Sequence, residues 1–166
     1  MEENYIYIGK IVNTHGIKGE LRILSDFKYK EKVFLANRRI YIGDSHEEEI
    51  INTYRHHKVF EMITLKGYNN INQVLKYLNK NVYVRKNDLG LGENEYLDSD
   101  LINLSIYLGN REIGKVMAIK ETGGNNKIIE TLVNGKSTFI PYHKDFVKKI
   151  DLDNKIIELE FIEGMI

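Results

Sequence analysis

Short runs of β-branched and aromatic residues, most of them closed by Gly, Asn or Asp, recur along nearly all of this 166-residue chain. Such runs favour strands, because branched and aromatic side chains pack well on a pleated surface. Strands this short and closely spaced predict an all-β fold of two small barrels in tandem. The predicted strands are residues 5–12, 21–24, 38–43, 58–67 and 82–86 in the first half, and 105–108, 111–116, 127–133, 136–140 and 155–161 in the second.

The turns of the second half carry the most specific local signals. Asn134-Gly135 separates two predicted strands, and Asn-Gly favours a type I′ hairpin turn because both central residues need positive φ. Gly109-Asn110 separates a further pair, and Asp153-Asn154 is the turn before the last predicted strand. The only proline, Pro141, has no amide hydrogen to donate to a sheet, so we expect it at the end or edge of a strand.

One segment has a helical period. Ile71, Val74, Leu75 and Leu78 are spaced as i, i+3, i+4 and i+7, and Asn70 is placed to cap them, which predicts a short helix of about three turns in the first domain. The polar, glycine-containing stretch 87–95 keeps neither period and contains the predicted linker. The predicted organisation is therefore a first barrel over 1–88, a linker over 89–95 and a second barrel over 96–166.

Charge is distributed unevenly between the two halves. The whole chain is neutral, but residues 1–90 hold 15 Lys and Arg against 11 Asp and Glu, while residues 91–166 hold 9 against 13. The first half therefore suits nucleic acid and the second a basic partner. No cysteine is present, the N-terminus lacks a signal-peptide pattern and no apolar run reaches membrane-spanning length. We expect a cytoplasmic protein that does not enter a membrane.

An enzymatic site is weakly indicated. His15, His56 and His57 with Glu20 and Glu61 offer acid–base groups, yet no nucleophile-elbow, phosphate-loop or metal-ligand spacing is present. The acidic run that follows His46, residues 47–49, is predicted to be a solvated loop and not a metal site. We expect no catalytic residue, no metal and no cofactor.

Two segments suit binding. In the loop GIKG, Lys18 lies between Gly16 and Gly19, where backbone amides can approach a phosphate; the alternative is that the glycines only shape a strand connection. The segment 53–60 groups Tyr54, Arg55, His56, His57 and Lys58, which suits phosphates and unstacked bases, or else is a basic hairpin tip in solvent.

The start of the second domain offers a third candidate. Tyr96 lies among acidic residues, which suits a contact with a basic protein. The alternative is that Tyr96 is a core residue that anchors the first strand of the domain.

Together these pieces resemble the RimM family of ribosome maturation factors along nearly the whole chain. The residues that carry the resemblance are, in the first half, Gly9, His15, Gly16, Gly19, Glu20, Tyr54, Arg55, His57 and Lys58; in the second half they are Asp100, Leu101, Ile113, Gly114, Val116, Thr122, Gly123, Ile140, Pro141, Asp151, Glu163 and Gly164. The chain departs from the family pattern at Leu97, where a second aromatic is usual, at Asn103 and at Lys127.

The resemblance implies a barrel similar to the second domain of translation elongation factors, followed by a PRC-barrel. It implies a non-enzymatic, monomeric factor that binds the free small ribosomal subunit and assists assembly of its head, the 3′ domain of the 16S rRNA precursor, through the basic head protein numbered nineteen. The alternatives are an RNA-processing hydrolase that uses His15 and His57, or a general RNA-binding barrel.

Site residues follow from the same resemblance. We expect ribosome contacts at Lys18, Arg22, Tyr54, Arg55, His57, Lys58, Tyr96 and Leu97, and structural motif roles for His15, Gly16, Gly19, Glu20, Gly114 and Pro141.

Overall fold

The computed structural model describes residues 4–92, 95–123, 126–143 and 145–160. The chain forms two compact units, Met1–Leu91 and Gly92–Ile166, and the predicted all-β fold class is confirmed. Glu163, Gly164 and the end of the last predicted strand, Phe161, lie outside the described residues. No helix in the described ranges is long and apolar enough to span a membrane.

The first unit is a closed barrel of six strands in the order β1-β2-β5-β4-β3-β6, with every neighbouring pair antiparallel. Buried aliphatic side chains such as Ile23, Ile51 and Ile63 fill its interior. The strands are β1 Tyr5–His15, β2 Glu20–Leu24, β3 Arg39–Ile42, β4 Glu47–His57, β5 Phe60–Leu65 and β6 Asn81–Arg85.

Strand β1 closes the barrel because it bends. Its register shifts between Tyr7 and Gly9 against β6, and between Ile11 and Asn13 against β2, and such bulges increase the local bend and twist of a strand. A Cβ atom at Gly9 would lie 2.7 Å from the Leu24 carbonyl oxygen. The family-motif glycine is therefore required by the close approach of two backbones.

The acidic segment that follows His46 is not a loop, and this prediction was wrong. Glu47 begins β4, and Glu48 lies opposite Tyr41 of β3 in the sheet. The run was predicted to be a loop because glutamate has a low propensity for strands. Tyrosine hydroxyls satisfy two of these carboxylates, since Tyr41 donates to Glu48 at 3.3 Å and Tyr68 to Glu49 at 2.5 Å.

The predicted helix exists but is shorter than three turns. One turn of α-helix, α2 (Ile71–Val74), passes into a 3₁₀ turn at residues 75–77. Asn70 caps it, as predicted, in a capping box with Gln73. The tighter 3₁₀ turn changes which side faces the core, so Tyr77 is buried while Leu75 is 45% exposed. A further turn of helix, α1 (Lys30–Val33), has no signal in the sequence pattern.

The second unit packs two sheets around one aliphatic core. A three-stranded sheet has the order β11-β10-β9, and a four-stranded sheet has the order β12-β13-β7-β8, in which β13 and β7 are parallel. The core contains Leu101, Ile106, Ile129, Ile140 and Ile157. The strands are β7 Ser105–Leu108, β8 Arg111–Lys115, β9 Ala118–Gly123, β10 Asn126–Val133, β11 Lys136–Pro141, β12 Val147–Asp151 and β13 Ile156–Leu159.

The hairpin predictions of this unit hold. Asn134 and Gly135 both have positive φ, 53° and 80°, as a type I′ turn requires. In the Gly109-Asn110 turn only Gly109 does. Pro141 is the last residue of the edge strand β11, as expected. A Cβ at Gly114 would lie 2.6 Å from the Thr131 hydroxyl, so β8 passes close to β10 only because this residue is glycine.

A candidate nucleic-acid interface on the first barrel

The outer surface of strands β2, β5 and β4 brings residues from distant motifs together. We call these residues the outer cluster: His15, Glu20, Arg22, Arg55, His57 and Phe60. Arg22 and Arg55 both lie opposite Met62 in the register of the sheet, so the three side chains point to the same side. The alternate residues Leu21 and Ile63 are fully buried in the barrel, which places the arginines on the outside. Met62 is nonetheless fully buried, which fits coverage by the aliphatic stems of the flanking arginines.

Arg55 is held by Glu20 through two hydrogen bonds. Its Nε donates to Glu20 Oε2 at 2.9 Å and its NH2 group to Oε1 at 2.7 Å. The Glu20 side chain is 16% exposed and that of Arg55 50% exposed. The hydrogen bonds from Arg55 lower the pKa of Glu20, against the opposing effect of burial, and the charges of Arg55, His15 and His57 lower it further. The fork therefore fixes Arg55 on the surface while half of it stays accessible.

His15 and Arg22 form a second pair beside the first. The Arg22 NH2 group lies 2.7 Å from His15 Nδ1. An arginine only donates, so Nδ1 is the acceptor in this contact. The Arg22 guanidinium also lies 5.5 Å from the centroid of the Phe60 ring, a cation–π contact.

The GIKG loop is fixed to the start of α2. Ile71 N–H donates to the Ile17 carbonyl at 2.8 Å, and a Cβ at Gly19 would lie 3.1 Å from the Asn70 carbonyl oxygen. Gly19 also has a φ of +88°, in the left-handed region. The loop is thus shaped by its glycine and its contact with α2, while Lys18 stays exposed and Ile17 is 82% exposed.

Strand periodicity divides the motif at residues 54–58. Arg55 and His57 point outward with Arg22, whereas Tyr54 and His56 point to the other side, towards Glu61. Glu61 Oε2 lies 2.6 Å from His56 Nδ1 and 3.4 Å from the Tyr54 hydroxyl. Tyr54 therefore does not join the outer cluster. We call Tyr54, His56 and Glu61 the Glu61 group.

The loop and the β4–β5 hairpin lie at opposite ends of the outer cluster, because β2 and β5 run antiparallel. Lys58, with a φ of 56°, and the 69%-exposed Val59 form the tip of this hairpin. We call the surface between the two ends the basic face: it consists of His15, Lys18, Arg22, Arg55, His57 and Lys58 around Glu20. One acid among six cationic or ionisable basic groups suits a phosphate backbone.

Two contacts at the outer cluster had no sequence signal of their own. Phe60 supports Arg22, and Glu20 holds a residue 35 positions further along the chain. Only the pairing of β2 with β5 and of β5 with β4 reveals them. Within the described ranges, no group of three or more His, Cys, Asp or Glu side chains is placed to hold a metal ion.

The candidates of the second unit differ in exposure. Tyr96 packs, partly buried, against the aliphatic core. Leu97 is 6% exposed, and its amide donates to Asp100 Oδ2 at 3.0 Å. The burial favours a packing role for Leu97, and a ribosome contact there stays a prediction. Lys127, one of the departures from the family pattern, forms an ion pair with Asp98 at 2.6 Å.

Comparisons with known proteins cover both units. A family model described as the RimM N-terminal domain matches residues 6–89, and one described as the RimM PRC barrel domain matches residues 98–165. A ribosome maturation factor RimM of Staphylococcus haemolyticus is 37% identical over 97% of this chain and 98% of its own. One from Staphylococcus epidermidis is 36% identical over 97% and 98%. The solution structure of the N-terminal domain of RimM from Thermus thermophilus is 20% identical, with a TM-score of 0.44, over 51% of this chain and 93% of its own.

Proposed function

This chain belongs to the RimM family of ribosome maturation factors, and from that premise we propose that it binds the free small ribosomal subunit in the cytoplasm and assists assembly of the subunit head. The proposal has two parts. The first barrel contacts the 16S rRNA precursor through the basic face, and the second unit contacts a basic ribosomal protein of the head, the one numbered nineteen. The protein acts by binding and not by catalysis.

The observation that carries the RNA contact is the convergence of two separate motifs on the basic face. His15 and Glu20 come from one motif and Arg55 and His57 from the other, and the sheet register brings them to one outer surface. The bidentate hold of Glu20 on Arg55 favours a defined orientation of the guanidinium over a freely moving one. Lys18 and Lys58 extend the positive charge to both ends.

A binding role also agrees with how the histidines are used. His15 Nδ1 accepts a hydrogen bond from Arg22. The lone pair of that nitrogen is therefore already used and does not serve as a general base. An RNA-cleavage assay with the wild-type protein tests this part: no cleavage is expected, and cleavage that is lost on mutation of His15 or His57 would overturn it.

The proposed protein contact is supported by charge. Residues 91–166 hold 13 acidic against 9 basic residues, which suits a basic partner and an association that weakens with salt. We expect the full-length protein to bind the purified head protein at low salt. Lack of binding at low salt would place the protein contact elsewhere.

The direct test is sedimentation of the protein with small subunits, large subunits and complete ribosomes in one gradient series. We expect comigration with the free small subunit alone. Equal comigration with all three would indicate indifferent attraction to RNA, and comigration with none would contradict the proposal.

Variants then test the site. Reversing both Arg55 and Lys58 to Glu should abolish comigration with small subunits while circular dichroism stays unchanged. Arg55→Glu also removes the partner of Glu20. Lys18→Glu with Lys58→Glu therefore serves as a second variant, because both lysines are exposed and neither side chain has a hydrogen bond or ion pair among the described residues. Undiminished binding by both double variants would exclude the basic face.

A further inference from the structure

A second surface of the first barrel carries a group of aromatic rings on the side away from the basic face. Tyr7 of β1, Tyr83 of β6 and Tyr41 of β3 lie in one row across three neighbouring strands. Tyr5 precedes Tyr7 by two residues and so points to the same side. His46, from the β3–β4 turn, stacks on Tyr5 with a centroid distance of 3.8 Å and an interplanar angle of 17°. We call these five residues the aromatic face.

The rings hold one another in place. Tyr83 meets His46 edge to face at 5.0 Å and Tyr7 at 6.1 Å, and Tyr5 meets Tyr41 edge to face at 5.2 Å. Such contacts orient aromatic rings. Tyr41 is 2% exposed, with the Arg85 guanidinium 4.7 Å from its ring centroid. The structural role of this group therefore explains Tyr41 and Tyr5 well.

A structural role does not explain Tyr7, whose side chain is 49% exposed. This ring is supported along one edge by Tyr83 and stands at the border of the cluster towards β2. A large aromatic side chain that is positioned by its neighbours and still half open to solvent is suited to stack with a flat ligand.

A cation lies on the same surface. The bulge after Tyr7 sets Lys10 opposite Asn81 of β6, and Tyr7 lies opposite Tyr83 two residues further on, so both side chains point outward. Lys10 is exposed. Binding of single-stranded nucleic acid typically combines an aromatic platform with cations that follow the backbone.

We propose that the aromatic face is a binding site for unpaired RNA bases, in which Tyr7 stacks with a base and Lys10 contacts the adjoining phosphate. The site extends the proposed function, on which its biological role rests: the basic face would contact the backbone of the rRNA precursor, and the aromatic face would hold an unpaired segment. RNA is favoured over an apolar protein partner because the open group is a tyrosine beside a lysine in a half of the chain with a basic excess, 15 against 11.

One acid opposes this arrangement. Asp26 faces Tyr7 closely enough that, after burial, its charge is the next cause of the raised pKa of the tyrosine hydroxyl. A carboxylate there repels phosphate. Replacing Asp26 by Asn should therefore strengthen RNA binding.

The test is the affinity of the full-length protein for an unstructured, pyrimidine-rich RNA of about 12 nucleotides, within the usual range for such sites. Tyr7→Ala should weaken binding at least about fivefold, as stacking contributions of this kind imply. Tyr7→Leu, which keeps the apolar cover, should weaken it equally, and Tyr7→Phe should retain it. Phe139→Ala, at a 50%-exposed aromatic of the second unit, is the matched control and should change nothing.

Two results would overturn the proposal: wild-type affinity of both Tyr7→Ala and Tyr7→Leu, or equal binding of a duplex of the same sequence with the same dependence on Tyr7. Cross-linking of the RNA to the Tyr7 peptide would support the site directly. If Tyr7 variants bind RNA normally while the Arg55 and Lys58 variants lose the small subunit, this inference fails and the proposed function stands.

Discussion

The two sides of strand β4 place different demands on geometry. On the outer side, Arg55 and His57 belong to the basic face, where the Arg55 side chain is 50% exposed despite its contact with Glu20. On the other side, Tyr54 and His56 meet Glu61, whose side chain is 4% exposed. One strand of alternating residues thus serves a surface that can bind and, on its other side, one buried carboxylate that holds the hairpin through Tyr54 and His56, which are themselves 36% and 57% exposed. We therefore expect that substitutions on the basic face change RNA binding and that substitutions in the Glu61 group change stability. The following predictions test that separation.

The largest expected effect is at the support of the GIKG loop. Gly19→Val forces a branched residue to a φ of +88° and brings its Cβ to 3.1 Å from the Asn70 carbonyl oxygen. We expect a loss of about 3 kcal/mol in the free energy of unfolding, from backbone strain and the displaced helix start. Thermal unfolding of the full chain measures it. Gly16→Val is the control, because Gly16 has a similar φ but no atom within 4 Å of the added Cβ, so it shows the cost of backbone strain without the contact with Asn70. An unchanged melting temperature for Gly19→Val would show that the loop is not fixed by α2.

The next effect is at the Glu61 group. Glu61→Ala removes a buried side chain and the carboxylate that faces Tyr54 and His56, so we expect a loss of about 2 kcal/mol. Denaturant unfolding measures it, and small-subunit binding by the folded variant should be retained. Strong loss of binding with unchanged stability would reverse the roles assigned to the two sides of β4.

A smaller effect comes from Glu20, whose pKa is lowered chiefly by the hydrogen bonds from Arg55. A carboxyl whose folded-state pKa is below its unfolded value adds stability above the unfolded pKa. That stability is lost as pH falls through the folded value. Because Arg55 is half exposed, we expect less than about 1 kcal/mol. The difference in unfolding free energy between wild type and Glu20→Gln should therefore shrink below pH 4.5, the ordinary value for glutamate. A difference that is constant from pH 7 to about 3 would contradict this.

The smallest effect on stability is expected for Arg55→Lys. The substitution keeps the charge but loses the bidentate contact with Glu20, and an exposed ion pair adds little to stability. Affinity for small subunits should nevertheless fall measurably, because the oriented guanidinium is lost. Lys58→Arg, at a residue without the fork contact, should bind normally; equal affinity of all three proteins would mean that only charge matters.

Much of this fold follows from its sequence. Asn134-Gly135 forms the I′ turn that its residue types require, Pro141 closes an edge strand, and Asn70 caps the helical segment. The failures have physical reasons. Glu47–Glu49 were predicted as a loop because glutamate has a low strand propensity, but they form part of β4, where Glu48 and Glu49 find tyrosine hydroxyl partners that only the folded barrel supplies. Tyr77, and not Leu75, became the buried residue because the helix tightened to a 3₁₀ turn.

The candidate site was predictable only in part. The motif residues His15, Glu20, Arg55 and His57 were named from the sequence, but their contacts depend on strand order and register. Alternation along β4 also removes Tyr54 from the basic face, which its place in the motif did not reveal. The aromatic face had no sequence signal, because its five residues come from β1, β3, β6 and a turn.

The most direct test of the central claim is the salt dependence of small-subunit binding by three full-length proteins: wild type, Lys18→Glu with Lys58→Glu, and Lys136→Glu with Lys148→Glu. The last variant reverses two exposed lysines of the second unit, so it matches the change in net charge. The basic face predicts weaker binding and a shallower salt dependence for the Lys18 and Lys58 variant alone, because phosphate contacts are lost. Equal losses in both variants, or none in either, would contradict the claim that the first barrel binds through this surface.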